Sequence, residues 1–326
     1  MQAPPLKLVL LMPVFDDWPC ARLMIQKLDA ALAASPVTAR VLLIDDGSPN
    51  SPATPLVAEP LKSLRGVERL RLRRNLGHQR AIAIGLSFLA AERDCDAVLV
   101  LDADGEDSPE DVPRLIEKFL ELHGTHVVFA ERTRRSEKFT FRVGYQSYRV
   151  LHRLLTGLAV KVGNFSILGR AHLGTLSVAS DLWNHYAATV FKVRLPVAFL
   201  PTARAPRLAG QSKLNFVSLV VHGLSAMSVF AETVGVRLML GIGTLMALSL
   251  ALVVVVTAIR LGTPLAIPGW ATSAAGLLLI LALQLFTLVV GLTFSVLFNR
   301  NNLTFLPVRD YRFFIGDVTS DYDRAG

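Results

Sequence analysis

The stretch VLVLDADGEDSPEDVPRL, Val98 to Leu115, is the most informative in the sequence because it joins an apolar run to a dense acidic cluster. Four of the six residues from Asp102 to Asp107 are acidic. Carboxylates repel one another, so this crowding indicates a positively charged partner rather than a contribution to folding. An uninterrupted apolar run that ends in polar residues is typical of a buried strand that reaches the edge of a sheet.

Short apolar runs alternate with helical patterns through the first part of the chain, which predicts a parallel sheet with helices on both faces. The predicted strands are LKLVLLMPV, ARVLLID, VERLRLR, DAVLVLD and HVVFAE. The predicted helices are Pro19 to Ala34, HQRAIAIGLSFLAAER and SPEDVPRLIEKFLELHG. The sequence therefore predicts an α/β domain with a doubly wound, mostly parallel sheet.

Ligands of such sheets bind outside the carboxyl ends of the strands. Four polar clusters follow predicted strands: FDD at 15–17, DDGS at 45–48, RNLGH at 74–78 and DADGED at 102–107. We expect them to converge on one edge of the sheet. No Gly-x-Gly-x-x-Gly follows the first strand, so a dinucleotide site is disfavoured.

The acidic cluster itself predicts a metal site. Asp102 and Asp104 flank one alanine at a strand end, and Glu106 could supply a third oxygen. Magnesium or manganese typically takes one or two carboxylates together with substrate phosphates. Glu110 and Asp111 are explained instead by a helix that starts at Ser108, while Asp107 fits either group.

The second half of the chain predicts two membrane-spanning helices. The chain is 52% hydrophobic, with a mean hydropathy of +0.45, and from Leu238 to Phe298 its only charged residue is Arg260. LMLGIGTLMALSLALVVVVTAI is 22 residues long, roughly 33 Å as a helix, which is enough to cross a bilayer. LGTPLAIPG then breaks the pattern before a second apolar run from Trp270. The alternative is a hairpin buried in a soluble core.

Basic residues near these spans predict the orientation. Arg237 precedes the first span and Arg300, Arg309 and Arg312 follow the second. The positive-inside bias places both termini in the cytoplasm. The formal net charge of +8 suits anionic lipid headgroups, and nucleic acid is not expected because no nucleic-acid-binding motif accompanies the charge.

The motifs MPVFDD, LLIDDGS, RNLGHQRAIAIGL and VLVLDADGEDSPEDV resemble the successive signatures of family 2 glycosyltransferases with the nucleotide-diphospho-sugar transferase (GT-A) fold. The chain is most similar to polyprenyl-phosphate sugar transferases of the dolichyl-phosphate-mannose synthase type, including bacterial forms with two C-terminal transmembrane helices. RLAGQSK, residues 207–213, resembles their Arg-x-x-Gly-x-Ser-Lys element.

The resemblance implies a role for each matching residue. Asp45 and Asp46 would hydrogen-bond the nucleobase and ribose, with Asp17 beside them. The full set of implied donor-binding residues is Pro13, Asp17, Asp45, Asp46 and Asp102, and the implied Mg²⁺ or Mn²⁺ ligands are Asp102, Asp104 and Glu106. The implied catalytic residues are Asp102, Asp104, Arg132 and Arg207, and the implied acceptor or phosphate-binding residues are Arg142, Arg207, Ser212 and Lys213. For any single arginine, a solvated or lipid-facing surface charge is the alternative.

One departure from the family pattern lies in GNFSIL, residues 163–168. Relatives with two helices carry Gly-Asp-Phe-Arg-Leu, so Asn164 replaces an Asp sometimes proposed as a base and Ser166 replaces an Arg. A carboxamide is not a useful proton acceptor. A phosphate monoester has a second pKa of about 6 and needs no base, so the substitution favours a phosphate acceptor or a changed substrate.

We therefore expect a metal-dependent, inverting transferase of the bacterial inner membrane that moves a sugar from a nucleotide-diphosphate donor to polyprenyl (undecaprenyl) phosphate on the cytoplasmic face, in a chain that could self-associate. The expected segments are a transferase domain (1–214), an amphipathic helix (215–236), two spans (237–299) and a cytosolic tail (300–326). One alternative is a processive polysaccharide synthase, although the chain lacks a Gln-x-x-Arg-Trp element. The other is a catalytically silent membrane scaffold of the same fold.

Overall fold

The computed structural model describes residues 5–132, 150–157, 162–210, 216–263, 269–300 and 305–324. Its centre is a mixed sheet with the strand order β7-β5-β6-β4-β1-β2-β3-β8. The strands are β1 (Leu6–Val14), β2 (Val37–Asp45), β3 (Leu64–Leu72), β4 (Ala97–Val100), β5 (Val127–Arg132), β6 (Val162–Gly169), β7 (Val197–Thr202) and β8 (Ile315–Asp323).

The helices alternate with these strands as the sequence predicted. They are α1 (Trp18–Ala31), α2 (His78–Glu92), α3 (Val112–Glu121), α4 (150–156), α5 (Arg170–Ser177), α6 (Tyr186–Lys192), α7 (Phe216–Ser228), α8 (Ala231–Gly262), α9 (Trp270–Arg300) and α10 (Pro307–Asp310). Short 3-10 turns cover Pro109–Asp111, Ser180–Trp183 and Tyr311–Phe314.

The part of the sheet that carries the predicted clusters is parallel. β1 pairs in parallel with β2 and β4, and β2 pairs in parallel with β3. β5 and β7 are also parallel, whereas β6 runs antiparallel to both β4 and β5. The carboxyl ends of β1, β2, β3 and β4 therefore meet at one edge, as expected from the sequence.

Alternate residues of each strand point to opposite faces of the sheet. Both faces are apolar here, and helices cover both of them. Leu10 of β1 packs with Ile25 of α1 and Phe119 of α3 in one hydrophobic core. Leu11 of β1 packs with residues of α2, α5 and α6, including Tyr186, in the other core. The predicted doubly wound architecture is confirmed.

Three strands were not predicted from the sequence. β6 contains GNFSIL and inserts between β4 and β5. β7 lies at one edge of the sheet, and β8 lies at the other, antiparallel to β3. β8 comes from the stretch predicted to be a cytosolic tail; the described residues 315–323 belong instead to the α/β sheet.

Ser108 occupies the expected N-cap position of the turn that leads into α3. Ser108 precedes the turn Pro109–Asp111, but its side chain makes no capping hydrogen bond to the backbone. The hydroxyl instead donates to the carboxylate of Glu110. The N-cap position of Ser108 and the acidic first turn are therefore both present as expected.

Two compact units make up the chain. The smaller unit contains α4 and the apolar helices α8 and α9, each long and apolar enough to cross a membrane. Only 6% of the most apolar window of each helix is buried, which argues against the alternative of a buried core hairpin. The two helices pack on each other through Gly235, whose hydrogen faces Val296, and through a hydrogen bond of 2.8 Å from the Ser249 hydroxyl to the Leu278 carbonyl.

Candidate active site

The loop after β4 presents the two aspartates that were predicted to bind a metal. Asp107, which is buried, accepts a hydrogen bond of 3.0 Å from the backbone N–H of Asp102 and so fixes the loop. Gly105 has a φ of 85°, and a Cβ there would lie 2.3 Å from Leu208. The loop therefore needs glycine at this position, and it leaves the carboxylates of Asp102 and Asp104 partly exposed at the sheet edge.

Arg207 links this loop to the end of β1. Its guanidinium contacts the carboxylate of Asp17 and lies 3.0 Å from Asp104 Oδ2. The Arg207 Nε donates to the Ala209 carbonyl at 2.8 Å, and the Leu208 N–H donates to the Asp104 carbonyl at 2.9 Å. One half-buried guanidinium thus holds together two carboxylates from different strand ends.

The electrostatics of this cluster follow from burial and from the spacing of its charges. Burial raises the pKa of Asp104 above its usual value, and the negative charges of Asp102 and Glu106 raise it further, against the opposing effect of Arg207. Burial would lower the pKa of Arg207, but the carboxylates of Asp17 and Asp104 outweigh it and raise that pKa. The cluster therefore favours an added positive charge.

The donor set fits a magnesium or manganese ion held by two carboxylates. Asp102 and Asp104 supply hard oxygen atoms, whereas the carboxylate of Glu106 contacts Arg204. Among the residues that the structure describes, no cluster of three or more His, Cys, Asp or Glu side chains has a metal-binding arrangement. Two carboxylates are sufficient when a substrate diphosphate and water complete the coordination.

In the loop after β2, the backbone of a neighbouring loop holds the carboxylate of Asp46. Both carboxylate oxygens of Asp46 accept backbone hydrogen bonds, from Leu76 at 2.7 Å and from Gly77 at 2.9 Å. Burial raises the pKa of Asp46, and these two hydrogen bonds oppose that effect. Asp46 therefore braces the loop before α2 through both of its carboxylate oxygens.

Asp45 lies beside it and is also buried. Its Oδ1 accepts a hydrogen bond of 2.8 Å from the Ser48 N–H, and its Oδ2 lies 3.8 Å from Arg71 Nε. Pro13 is buried in β1, where it pairs in register with Ile44. Of the predicted donor-binding residues at these two strand ends, Asp17 and Asp45 thus contact arginines.

His78 is a member of the site that was not among the predicted site residues. The ring stands at the start of α2, and its Nε2 lies 3.1 Å from Asp102 Oδ1. Desolvation of the ring lowers the pKa of His78, but the charge and hydrogen bond of Asp102, with the charges of Asp107 and Asp46, outweigh it and raise that pKa. The RNLGH cluster already carried this residue at a predicted sheet edge, which was the only signal in the sequence.

Asn164, the departure from the family pattern, lies next to His78. Its Nδ2 is 3.1 Å from His78 Nε2, and its Oδ1 accepts a hydrogen bond of 3.1 Å from Gln79 Nε2. Ser166 is fully buried; its hydroxyl donates to the Asn164 carbonyl and pairs with the Tyr186 hydroxyl at 2.8 Å. Ser166 therefore belongs to the core, whereas Asn164 reaches toward the sheet edge.

The remaining predicted site residues are not placed by side-chain contacts. Arg132 ends β5, and the structure does not describe its side chain. Arg142, Ser212 and Lys213 lie outside the described residues. Within the RLAGQSK element, the described residues 207–210 run alongside the loop after β4.

A mixed sheet covered by helices on both faces, with acidic residues at the carboxyl edge of its parallel strands, is the architecture of nucleotide-diphospho-sugar transferases of the GT-A type. The solved structure of mannosyl-3-phosphoglycerate synthase from Rubrobacter xylanophilus shares this fold, with a TM-score of 0.50 and 17% identity over 69% of this chain and 73% of that one. Residues 10–176 match the family described as Glycosyl transferase family 2. The chain belongs to this family and is a glycosyltransferase.

Curated relatives extend the likeness beyond that domain. An undecaprenyl-phosphate 4-deoxy-4-formamido-L-arabinose transferase from Salmonella paratyphi A is 27% identical over 295 residues, which are 88% of this chain and 85% of the relative. The protein of the same name from Erwinia tasmaniensis is 27% identical over 74% of this chain and 73% of its own. The predicted fold, family and enzyme class are confirmed.

Proposed function

We propose that the protein transfers a sugar from a nucleotide diphosphate to polyprenyl phosphate at a membrane surface. The observation that carries the proposal is the cluster of Asp17, Asp102, Asp104 and Arg207 at the carboxyl edge of the sheet. A chain with this cluster also ends in two exposed apolar helices, and its relatives are named for transfer to undecaprenyl phosphate.

The donor would bind along the ends of β1, β2 and β4. Asp45, held by Ser48 and facing Arg71, is suited to the nucleoside, as is Asp17. Arg207 is suited to the donor diphosphate or the lipid phosphate, because a guanidinium fork matches phosphate oxygens. Asp46 would support this subsite indirectly, because its carboxylate accepts hydrogen bonds from the backbone of the loop before α2.

Asp102 and Asp104 would hold a magnesium or manganese ion. When bound, the ion would stabilise the negative charge that develops on the leaving diphosphate. The raised pKa of Asp104 supports this assignment, since a nearby divalent cation would favour the ionised carboxylate. Arg207 already provides a positive charge next to Asp104 and Asp17, the carboxylates that follow β4 and β1.

The acceptor would supply its own nucleophile. An oxygen of the lipid phosphate forms a bond to the anomeric carbon while the bond from that carbon to the donor diphosphate breaks, so the nucleoside diphosphate leaves and the configuration inverts. A phosphate monoester is largely ionised at neutral pH and loses no proton in this step. Asn164 in place of a carboxylate fits such an acceptor.

The helices α8 and α9 would anchor the enzyme in the bacterial inner membrane. Arg237 in the second turn of α8 and Arg309 and Arg312 after α9 favour cytoplasmic termini. We further propose that residues 1–214 form the transferase domain on the cytoplasmic side, with β8 of the last segment, 300–326, completing its sheet. The juxtamembrane segment at 215–236, which contains α7 and the start of α8, would lead into the spans at 237–299.

Transfer by the purified full chain tests the proposal directly. The assay combines polyprenyl phosphate with radiolabelled UDP-, GDP- and dTDP-sugars, with manganese, magnesium or a chelator. We expect a lipid that carries one sugar, formed only when a divalent ion is present. A polymeric product would indicate a processive synthase, donor binding without any product would indicate a silent scaffold, and full activity in chelator would contradict the metal assignment.

A further inference from the structure

The helix α4 buries polar side chains and exposes apolar ones. His152 and Thr156 are 1% and 6% exposed, and the Thr156 hydroxyl donates to the His152 carbonyl at 2.7 Å. Val150, Leu151 and Leu154 are 65%, 49% and 69% exposed. A helix on a water-facing surface shows the opposite arrangement, with its apolar side chains toward the core and its polar side chains toward solvent. The outer side of α4 is therefore suited to an apolar environment.

The exposed apolar residues of α4 form one continuous face. Successive residues of an α-helix are about 100° apart around its axis, so Val150, Leu154 and Leu151 together cover an arc of about 100°. We call these three residues the apolar face of α4. Arg153, which is also exposed, lies beside it. An apolar face next to a basic residue is typical of a helix that lies in the interface between lipid headgroups and acyl chains.

Arg237 connects the end of α4 to the first apolar helix of the same unit. α4 is followed by Gly157, which has a φ of 82° and whose N–H donates to the Arg153 carbonyl at 2.9 Å. Nη1 of Arg237 donates to the Leu154 carbonyl at 2.7 Å, and a Cβ at Gly157 would lie 2.8 Å from the guanidinium. The last carbonyls of a helix have no partner within it. The guanidinium satisfies one of them and complements the negative end of the helix dipole.

Arg237 also marks the level at which α8 enters its apolar segment. It is the last charged residue before the run of 22 residues that begins at Leu238. Its neighbours Val236 and Leu240 are 47% and 68% exposed. An arginine near the end of a membrane-spanning helix extends its charge toward the lipid headgroups. Because the same guanidinium bonds to α4, the last turn of α4 lies at this boundary.

We propose that α4 is an interfacial helix whose apolar face contacts the bilayer at the level of the lipid headgroups, and that Arg237 holds it against α8. The inference rests on the proposed function, because it takes α8 and α9 as membrane spans. Lipid is a better occupant for the apolar face than a second copy of this chain. The bond from Arg237 joins α4 to a span, and the exposed guanidiniums of Arg153 and Arg237 match anionic headgroups.

Spin labels on single introduced cysteines measure the depth of α4 in a bilayer. The full chain is reconstituted into vesicles of phosphatidylethanolamine and phosphatidylglycerol, and the depth of each label follows from its collisions with oxygen and with a water-soluble nickel complex. We expect labels at Val150→Cys and Leu154→Cys to lie about 5–10 Å deep in the interface. The wild-type chain, whose Cys20 and Cys95 are buried, gives the labelling background.

Two matched positions calibrate these depths. Val178 is a valine of the larger unit that is 58% exposed, so a label at Val178→Cys should collide freely with the nickel complex. Leu248 is a leucine in the middle of the apolar segment of α8 that is 56% exposed. A label at Leu248→Cys should lie near the bilayer centre, about 15 Å below the edge of the hydrocarbon core.

An Arg237→Gln background tests the contact between α4 and α8. The shorter, neutral side chain removes the guanidinium that binds the Leu154 carbonyl. The label at Val150 should then become more mobile and collide more often with the nickel complex. The label at Leu248 should keep its depth, because the apolar segment of α8 is unchanged.

Three results would overturn the proposal. Labels at Val150 and Leu154 that meet the nickel complex as often as the label at Val178 would show that the apolar face is in water. Magnetic coupling between labels of two chains at Leu154 would place a second copy on that face, and an unchanged Val150 spectrum in Arg237→Gln would contradict the role of the guanidinium. If the label at Leu248 is immersed while those on α4 are not, only this inference fails. If the label at Leu248 also lies in water, the proposed membrane anchor fails as well.

Discussion

Two acidic loops leave β2 and β4, the strands on either side of β1, at the same edge of the sheet, and the protein uses them in different ways. After β2, both oxygens of Asp46 accept hydrogen bonds from the backbone of the next loop. After β4, Asp102 and Asp104 face the side chains of His78 and Arg207. The first loop uses Asp46 to hold the fold together, whereas the second keeps carboxylate oxygens at an accessible surface.

The comparison shows what distinguishes a structural acid from a candidate ligand. Both loops are acidic, both follow buried parallel strands, and burial raises the pKa of both Asp46 and Asp104. The difference lies in the partner, since backbone N–H groups are fixed parts of the fold while arginine and histidine side chains can move aside for a cation or phosphate. Substitutions in the two loops should therefore separate stability from activity.

The largest effect is expected for Asp104→Asn in the loop after β4. Sugar transfer should fall about 1,000-fold, or about 4 kcal/mol in the activation barrier, because one carboxylate is lost from the group that stabilises the leaving diphosphate. The apparent melting temperature should not fall, since desolvation already disfavours the charged form of Asp104 in the fold and raises its pKa. Initial rates at saturating donor and a thermal-shift scan measure the two quantities.

Glu110→Gln is the matched control for that experiment. Glu110 belongs to the same acidic stretch, but it lies in the first turn before α3 and bonds to Ser108. Its substitution should leave transfer within about twofold of the wild type, as for most exposed positions. Equal losses in both variants would show that net acidity, rather than the oxygens at the end of β4, supports the reaction.

The glycines of the two loops give the next contrast. Gly47 has a φ of 68°, and a Cβ there would lie 2.5 Å from the backbone of Arg74, whereas the clash at Gly105 is with the side chain of Leu208. A side chain can shift and a backbone segment cannot, so Gly47→Ala should destabilise the fold by about 3 kcal/mol and Gly105→Ala by about half of that. Chemical denaturation compares the two variants, and a larger loss for Gly105→Ala would contradict the contrast.

The sequence predicted some strands of the sheet and not others. The strands β1 to β5 were predicted because short apolar or alternating runs end in polar residues and are separated by helical patterns. β8, IGDVTSDYD, alternates polar residues along an edge strand, and only its pairing with β3 makes it a strand. Its assignment depends on contacts between residues far apart in the chain.

The candidate site shows the same limit. The sequence predicted Asp45, Asp46, Asp102 and Asp104 at one edge of the sheet. Because all four are aspartates, nothing in the sequence indicated that Asp46 alone would bind the backbone of another loop through both oxygens. That distinction depends on backbone N–H groups about 30 residues away in sequence, at Leu76 and Gly77. His78 was missed for a related reason, because its contact with Asp102 exists only once α2 and β4 lie side by side.

Asp46→Asn should affect stability rather than chemistry. One oxygen that accepts a backbone hydrogen bond becomes an NH₂ group, which leaves the N–H of Leu76 or Gly77 without its acceptor. The expected loss is about 2 kcal/mol of unfolding free energy, with kcat of the folded fraction changed much less than in Asp104→Asn. A variant with normal stability and a 1,000-fold loss of transfer would place Asp46 among the groups that contact the substrate.

The smallest effect is the pH dependence of stability, and it has the same sign in both loops. Burial raises the pKa of Asp46 and Asp104 above 3.8, so the folded protein binds these protons more tightly than the unfolded chain does. Their stabilising contribution is therefore present at acid pH and is lost as the pH rises through the raised values. The melting temperatures are measured in chelator while the pH is raised from about 4 to about 7. Over this range the melting temperature of Asp104→Asn should fall less, or rise more, than that of the wild type. Asp46→Asn should reduce the pH dependence of the melting temperature in the same way, but from a lower melting temperature, because it also loses backbone hydrogen bonds. If the melting temperature of either variant changed with pH in parallel with that of the wild type, the substituted carboxylate would be excluded as a source of the pH dependence.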